Sequence, residues 1–266
     1  MSLSALIVEF MLFSFAGWVY ESLLCTIQSR QWQNRGFLFG PVCPIYGSCA
    51  AGGHLLLCAL SARFNVTALT MPLWQLFLIG MIGSAIVEYL TSWVLEARFH
   101  ARWWDYSQFP LNLNGRISLP TSAGFGLAGV VIARVLLPLT EAAFAGLPAV
   151  LTEFMALLFV GLMGADIALT EASLSDLMAQ IEHAEAGLNR FMEARYQAIE
   201  DGGTRIMETG AALRDRLSPS RFMRGAQRHL LKNIRKFRSE ERNTIANRLR
   251  ELLGRKSAKE GNDAAL

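Results

Sequence analysis

Residues 71–95 read MPLWQLFLIGMIGSAIVEYLTSWVL, and this stretch decides the fold class. Glu88 is its single charged residue. About 20 apolar residues cross the roughly 30 Å of hydrocarbon in a bilayer as an α-helix. The sequence therefore predicts a transmembrane helix here.

Four further stretches are long and apolar enough to cross a membrane: residues 3–25, 41–62, 119–139 and 148–168. The 266-residue chain is 52% hydrophobic and 18% charged, whereas soluble domains are about a quarter charged. We therefore expect an all-α integral membrane protein with about five transmembrane helices.

The basic residues predict the orientation. Of the 25 Lys and Arg residues, 18 follow residue 170, and the loops on that side of the membrane hold five more. The loops on the other side receive Arg63 and Arg134. Because basic residues concentrate on the cytoplasmic side, we expect the N terminus outside and the C terminus inside.

The chain is expected to divide into a transmembrane domain (1–170), cytoplasmic helices (171–256) and a disordered C terminus (257–266). Leu174, Leu177 and Ile181 begin a short coiled-coil-like seam. Residues 221–259 carry 13 basic and three acidic side chains, with apolar residues at helical spacing. This pattern suits a helix that lies on anionic membrane lipids. It equally suits a solvated charged helix that packs back on the first helix of the tail.

Polar residues gather on the predicted cytoplasmic side. The segment NRGFLFGPVCPIY at 34–46 combines an arginine with Gly and Pro breaks, and irregular backbone at membrane depth is tolerated where it lines a cavity or is covered by protein. Ser84, Glu88 and Ser92 repeat at four-residue steps, which directs Glu88 into the bundle. Glu21 and Glu88 are functional candidates as intramembrane carboxylates, or structural partners of arginines.

The candidate site has two parts. Its substrate-binding residues are Glu21, Asn34, Arg35, Glu88, Glu96, Asp105, Asn112, Asn114 and Arg116. Its cavity-forming residues are Gly36, Gly40, Pro41, Pro44, Tyr46 and Gly47.

Several chemistries are not expected. The chain has no GxxxxGK[ST] loop, so any ATP-hydrolysing subunit would be a separate partner. Its four histidines lack paired metal-ligand spacing, and no metal or other cofactor is expected. No nucleic-acid module is recognisable.

Five motifs resemble one bacterial family, labelled Putative ABC-transporter type IV, the CmpB group. They are GWVYE (17–21), NRGFLFGPVCPIYG (34–47), EYLTSWVLE (88–96), RWWDY (102–106) and NLNGRISLPTSAGFG (112–126). The resemblance covers roughly residues 10–130 and implies a multi-pass protein of the bacterial inner membrane with a role in transport. Ser118 stands where many members have a cysteine, so a thiol role is not expected there.

Three functions remain open on the sequence. The first is a permease-like transport or transport-accessory protein, with carboxylates binding a cation or proton and arginines holding an anionic group. Since five helices are few for a transporter, a homodimer or a separate subunit is expected. The second is a membrane enzyme acting on a phosphorylated lipid or polyprenyl carrier, with Arg35 and Arg116 clamping phosphate. The third is a non-catalytic scaffold or regulator that acts through its basic tail.

Overall fold

The computed structural model describes residues 2–200, 225–240, 242–247 and 249–251. Within these ranges, five helical spans have the length and composition to cross a membrane, which confirms the predicted fold class. They are α1 (Leu3–Ser29), α2 (Pro44–Phe64), α3 (Leu73–Phe99), the continuous span Leu119–Ala145, and residues Ala149–Gly187 of the long helix α6 (Ala149–Glu200).

Consecutive spans cross a membrane in opposite directions, so the first and third connections fall on one face and the second and fourth on the other. Residues 30–43 and 103–118 lie on the first of these faces, which we call the loop face. Residues 65–72 and 146–148 lie on the other side, the N-terminal face, where α1 begins. The structure contains no membrane, so the cytoplasmic location of the loop face stays a prediction.

Local sequence sets the helix ends. The Ser2 hydroxyl accepts a hydrogen bond from the Ala5 amide (3.2 Å) and caps α1. Pro44 begins α2, because a first-turn residue needs no N–H donor. Asn65 ends that helix in the left-handed conformation, with φ at 53° and its N–H donating to the Ser61 carbonyl (2.9 Å).

The fourth span contains a π-helical turn. Helix α4 (Leu119–Val131) passes through Ile132–Leu136 into α5 (Leu137–Ala145). Pro138 has no N–H to donate and its ring crowds the carbonyl four residues earlier, which accounts for the wider turn. Arg134 in this turn donates to the carbonyls of Leu69 (2.8 Å) and Met71 (2.6 Å).

Glycines bring the helices into close contact. A Cβ at Gly17 of α1 would overlap the Tyr46 ring, and a Cβ at Gly47 of α2 would overlap the Phe10 carbonyl oxygen and the Ser14 hydroxyl. Gly80 of α3 lies close to Gly126 and Gly129 of α4, whose Cα atoms would be a tight 3.2–3.4 Å from an added Cβ. Small residues allow such backbone approach in membranes.

A short hairpin connects α3 to α4. Strands β2 (Asn112–Leu113) and β3 (Ile117–Ser118) pair in antiparallel fashion. Asn114 (φ 56°) and Gly115 (φ 69°) form the turn between them, and the Arg116 amide closes it onto the Leu113 carbonyl (3.0 Å). The Asn-Gly pair predicts such a turn, because both central residues take positive φ.

The chain divides into two compact units. The first comprises residues 1–97 and 103–170, and the second comprises residues 98–102 with the described residues from 171 onward. In the second unit, Leu174, Leu177 and Ile181 of α6 are buried. Strand β1 (Ala101–Arg102) pairs antiparallel with β4 (Lys236–Phe237).

The basic tail differs from one continuous amphipathic helix. Helix α7 (Gly225–Asn233) ends where Arg235 and Arg238 donate backbone hydrogen bonds to Arg102 (2.7 Å) and His100 (2.9 Å). This strand pairing takes the N–H groups that a helix would use. Five apolar side chains of the pattern lie in the part of the tail that the structure describes and are buried: Leu230, Ile234, Phe237, Ile245 and Leu249.

Several predictions on the tail lie outside the described residues. These are the division at Gly202 and Gly203, the side chains that would extend the coiled-coil seam beyond residue 187, and the disordered residues 257–266. The interaction of the tail with anionic lipids stays a prediction.

Gly47→Ala is expected to destabilise the transmembrane unit, because the new methyl group would overlap the α1 backbone. The cost of such overpacking is about 1–3 kcal/mol, measured by thermal unfolding in detergent. Gly52→Ala on the same helix is the matched control, since a Cβ there meets no atom within 4 Å. Equal unfolding temperatures for the two variants would contradict the close contact.

Candidate functional site

The polar segment 34–43 is fixed to the bundle through its backbone. The Asp166 carboxylate of α6 accepts hydrogen bonds from the amides of Phe39 (3.1 Å) and Gly40 (2.9 Å). At the segment's end, the Cys43 amide donates to the Ser14 carbonyl of α1 (2.9 Å). These bonds satisfy backbone groups that would otherwise be costly at membrane depth.

The predicted cavity-forming residues have separate structural roles. Gly36 takes φ 139°, which side-chain-bearing residues rarely adopt. A Cβ at Gly40 would lie 2.7 Å from the Asp166 carboxylate, so glycine permits that contact. Pro41 is exposed, and Pro44 and Gly47 belong to the start of α2 described above.

Two carboxylates at the loop face each accept a tyrosine hydroxyl. Tyr46 donates to Glu21 Oε1 (2.6 Å), and Tyr106 donates to Glu88 Oε1 (2.9 Å). Glu88 is 4% exposed. Its second oxygen, Oε2, is buried and has no hydrogen-bond partner in the part of the chain that the structure describes.

Arg35 connects the two polar loops. Its guanidinium donates to the Trp103 carbonyl (3.0 Å), and the Trp103 ring packs edge-on against Phe37 with centroids 5.1 Å apart. The sequence left open whether these loops meet, and the structure brings them into contact. Within the described residues, no carboxylate lies within 4 Å of the Arg35 guanidinium.

Three charged groups lie close enough to the Tyr106 hydroxyl to affect its pKa. Burial and then the Glu88 carboxylate raise the pKa of the Tyr106 hydroxyl, Glu21 adds to the rise, and Arg35 opposes it. Burial likewise raises the pKa of the Cys43 thiol to about 12, with Glu21 adding to the rise and Arg35 opposing it. Glu21, Glu88 and Arg35 therefore act on one shared region, which we call the carboxylate–tyrosine site together with Tyr46 and Tyr106.

Arg116 belongs to a different cluster. Its guanidinium forms an ion pair with Glu96 (2.7 Å), donates to the Tyr89 hydroxyl (3.3 Å) and lies 5.2 Å from the centre of the Tyr89 ring. The bond to Glu96 raises the pKa of Arg116. The Asn114 amide also donates to the Tyr89 hydroxyl (3.1 Å). These contacts attach the hairpin, through Asn114 and Arg116, to Tyr89 and Glu96 of α3.

The remaining candidate residues make local contacts. Asn34 accepts a hydrogen bond from the Trp18 indole (2.7 Å). Asn112 accepts one from the Gly115 amide (3.1 Å) within the hairpin. Asp105 accepts one from the Ser107 amide (3.1 Å), which forms a turn.

Two apolar grooves of about 310 and 480 Å³ lie elsewhere on the bundle. The first lies between α1, α2 and α6, with Phe10 and Phe159 among its lining residues. The second lies along α3 and the hairpin, with Tyr89 and Leu113 among its lining residues. None of the five members of the carboxylate–tyrosine site lines either groove.

The sequence did not identify Tyr106 as a member of the carboxylate–tyrosine site, or Asp166 as the residue that anchors segment 34–43. Tyr106 follows two tryptophans, and aromatic residues beside a membrane span are typical of an interfacial belt. Asp166 lies 126 residues from Gly40, whose amide it binds. The sequence does mark Asp166 as unusual, because this carboxylate interrupts an apolar span on the same side of the membrane as Glu21 and Glu88.

Five membrane-length helices with polar side chains gathered at one face define a multi-pass membrane protein. Residues 8–171 match the family described as Putative ABC-transporter type IV, and the chain belongs to that family. This match confirms the resemblance drawn from the five motifs and supports a transport-related role. No curated protein and no solved structure matches the chain.

Asp166→Asn is expected to loosen residues 36–43, because an amide offers one acceptor oxygen where the carboxylate offers two. The lost hydrogen bond should cost about 1–3 kcal/mol. Hydrogen exchange at the Phe39 and Gly40 amides should accelerate accordingly. Asp176→Asn, at an exposed position of α6, is the control, and unchanged exchange in the Asp166 variant would contradict the anchoring.

The electrostatics of Cys43 give a second test, using a variant in which Cys25, Cys49 and Cys58 are replaced by Ser. Glu21→Gln removes a negative charge and should lower the pKa of the Cys43 thiol. More thiolate is then present at pH 8, and a water-soluble maleimide should react faster. Glu153→Gln is the control. Equal maleimide reaction rates with Glu or Gln at position 21 would contradict an effect of the Glu21 charge on the Cys43 thiol.

Proposed function

We propose that the protein is a transport or transport-accessory protein that binds a proton or small cation at Glu88 and Glu21. It would act in the bacterial cytoplasmic membrane with the loop face inside, and Arg35 would bind an anionic group of the substrate. The observation that carries the proposal is the buried Glu88 carboxylate, which has one tyrosine partner and one oxygen without a partner among the described residues.

A carboxylate in this position needs a further ligand. Burying a charged carboxylate without a counter-ion is expensive, and more so within a bilayer. The single hydrogen bond from Tyr106 neutralises no charge. A proton or a bound cation at Oε2 would satisfy Glu88, and its release would leave the costly charged form. Reversible occupation of this kind is what an ion-coupled transporter requires.

Glu21 supports the same interpretation. It is partly buried, and its Oε1 takes the Tyr46 hydroxyl while Oε2 remains for a ligand. Both carboxylates act electrostatically on Tyr106, so their negative charges oppose each other. Two nearby carboxylates favour a shared proton or cation over two free charges.

Arg35 and Arg116 differ in what they can bind. Arg116 is neutralised by Glu96 (2.7 Å), whereas Arg35 contacts a neutral carbonyl. A phosphate clamp made from both arginines would require breaking the Arg116–Glu96 pair. The geometry thus gives more support to transport than to an enzyme acting on a phosphorylated lipid. A scaffold acting through the tail would not require an incompletely paired buried carboxylate.

A homodimer or a separate energy-supplying subunit remains part of the proposal. Five spans leave little room for an enclosed pathway, and the sequence carries no GxxxxGK[ST] loop.

Glu88→Gln tests the proposal through charge movement at the site. Proteoliposomes on a solid-supported membrane would be given steps in pH, sodium or potassium. The wild-type protein should produce a transient current for at least one cation, because binding at a buried carboxylate displaces charge. Glutamine neither ionises nor binds a proton at neutral pH, so the variant should lose that current.

Glu153→Gln is the matched control, since it removes an exposed carboxylate from a span. It should retain the wild-type current. Adding inorganic phosphate or acetate tests the anionic partner, and Arg35→Gln should abolish any sustained current that the anion produces. No wild-type transient with any of the three cations, or one that persists in Glu88→Gln, would contradict the proposal.

A further inference from the structure

A second polar cluster lies toward the N-terminal face and contains Glu9 of α1, His54 of α2 and Glu141 of α5. His54 Nδ1 lies 2.9 Å from Glu9 Oε2 and 3.0 Å from Oε1. His54 Nε2 lies 3.0 Å from Glu141 Oε1. Each ring nitrogen therefore contacts a different carboxyl group.

The exposed fraction of the side chains falls from Glu141 through His54 to Glu9. The Glu141 side chain is 59% exposed, the His54 side chain is 5% exposed and Glu9 is fully buried. Within the described residues, Glu9 and Glu141 are the charged groups that contact His54. Glu141 also lies about one helical turn before the fourth span ends at Ala145. The imidazole thus joins a carboxyl group near the N-terminal end of the bundle to one inside it.

The hydrogen-bond chemistry allows a proton to move along this chain. A neutral imidazole carries one N–H, so two hydrogen bonds to carboxyl groups require either an imidazolium or one protonated carboxyl group. In the second case, protonated Glu141 donates to Nε2, while Nδ1–H donates to ionised Glu9.

The transfer is balanced in atoms and charge. The Glu141 O–H bond breaks as an N–H bond forms at Nε2, and the Nδ1–H bond breaks as an O–H bond forms on Glu9. Glu141 ends ionised, Glu9 ends protonated and His54 remains neutral in its other tautomer. Histidine suits this role because its two nitrogens can exchange donor and acceptor roles.

We propose that Glu141, His54 and Glu9 form a proton relay that carries protons between the aqueous phase at the N-terminal face and the buried Glu9. A fixed ion pair would use the same contacts but would keep His54 doubly protonated. The relay is separate from the carboxylate–tyrosine site: Glu9 and Glu21 are 12 residues apart on α1, or about 18 Å at the rise of an α-helix.

Nitrogen-15 NMR of histidine-labelled protein in nanodiscs distinguishes these two states. His54→Gln assigns the His54 signals among the four histidines. The relay predicts that His54 shows neutral, tautomerically averaged nitrogens over part of the range from about pH 5 to about pH 8. Two protonated nitrogens throughout that range would identify a fixed ion pair and overturn the proposal.

Proton exchange at the His54 N–H groups tests whether protons reach His54 through Glu141. Glu141→Gln should slow that exchange by about ten-fold or more, because a positioned acid–base group is removed. Glu141→Asp should restore part of the rate. Glu141 is exposed, so its replacement changes one partner of His54 and leaves the buried contact between His54 and Glu9 in place.

Glu153→Gln is again the control and should leave the exchange rate unchanged. An equal rate in wild type and Glu141→Gln would overturn the relay. A current that is absent from the wild type, or that persists in Glu88→Gln, would contradict the proposed function and leave this result unaffected, so the two proposals can fail separately.

Discussion

The close contact between α1 and α2 underlies both polar clusters. Because Gly17 has no Cβ, the Tyr46 ring lies directly against α1 and its hydroxyl reaches Glu21 about one turn later. Gly47 lets α2 approach the backbone of α1 on the same surface. The two helices remain close beyond this point, where His54 meets Glu9. One helix pair thus positions a carboxylate–tyrosine contact at the loop face and a carboxylate–histidine contact toward the N-terminal face.

Much of the fold follows from local sequence, since a bilayer requires helices of a set length and the five apolar stretches supply them. The burial of Ser84, Glu88 and Ser92 is also readable from their four-residue spacing on α3. The relay was not readable. Its carboxylates lie 45 and 87 positions from His54 in the sequence, and a lone histidine in an apolar helix has no local pattern that names its partners.

The arginines show why charge alone does not define a site. In the sequence, Arg35 and Arg116 are similar cations in loops of the same face. The hairpin turn at Asn114 and Gly115 brings Arg116 to Glu96 and Tyr89, and Glu96 balances its charge. Arg35 follows no such turn and instead meets the Trp103 carbonyl. Which arginine keeps capacity for an anion is therefore set by tertiary contacts between loops.

The two clusters share one helix pair, which limits how one could affect the other. Between Glu9 and Glu21, the only titratable side chain of α1 is Tyr20, and Ser14 already donates its hydroxyl hydrogen to the Phe10 carbonyl (2.7 Å). This stretch of α1 therefore provides no continuous path for a proton. Protonation of Glu9 would instead make it the donor, where it had been the acceptor, of its hydrogen bond with His54, and so change the contact between α1 and α2. Since Tyr46 packs directly on Gly17 at this interface, a small shift of α2 along α1 would alter the distance between Tyr46 and Glu21. Any coupling between the clusters would therefore act through the relative position of α1 and α2.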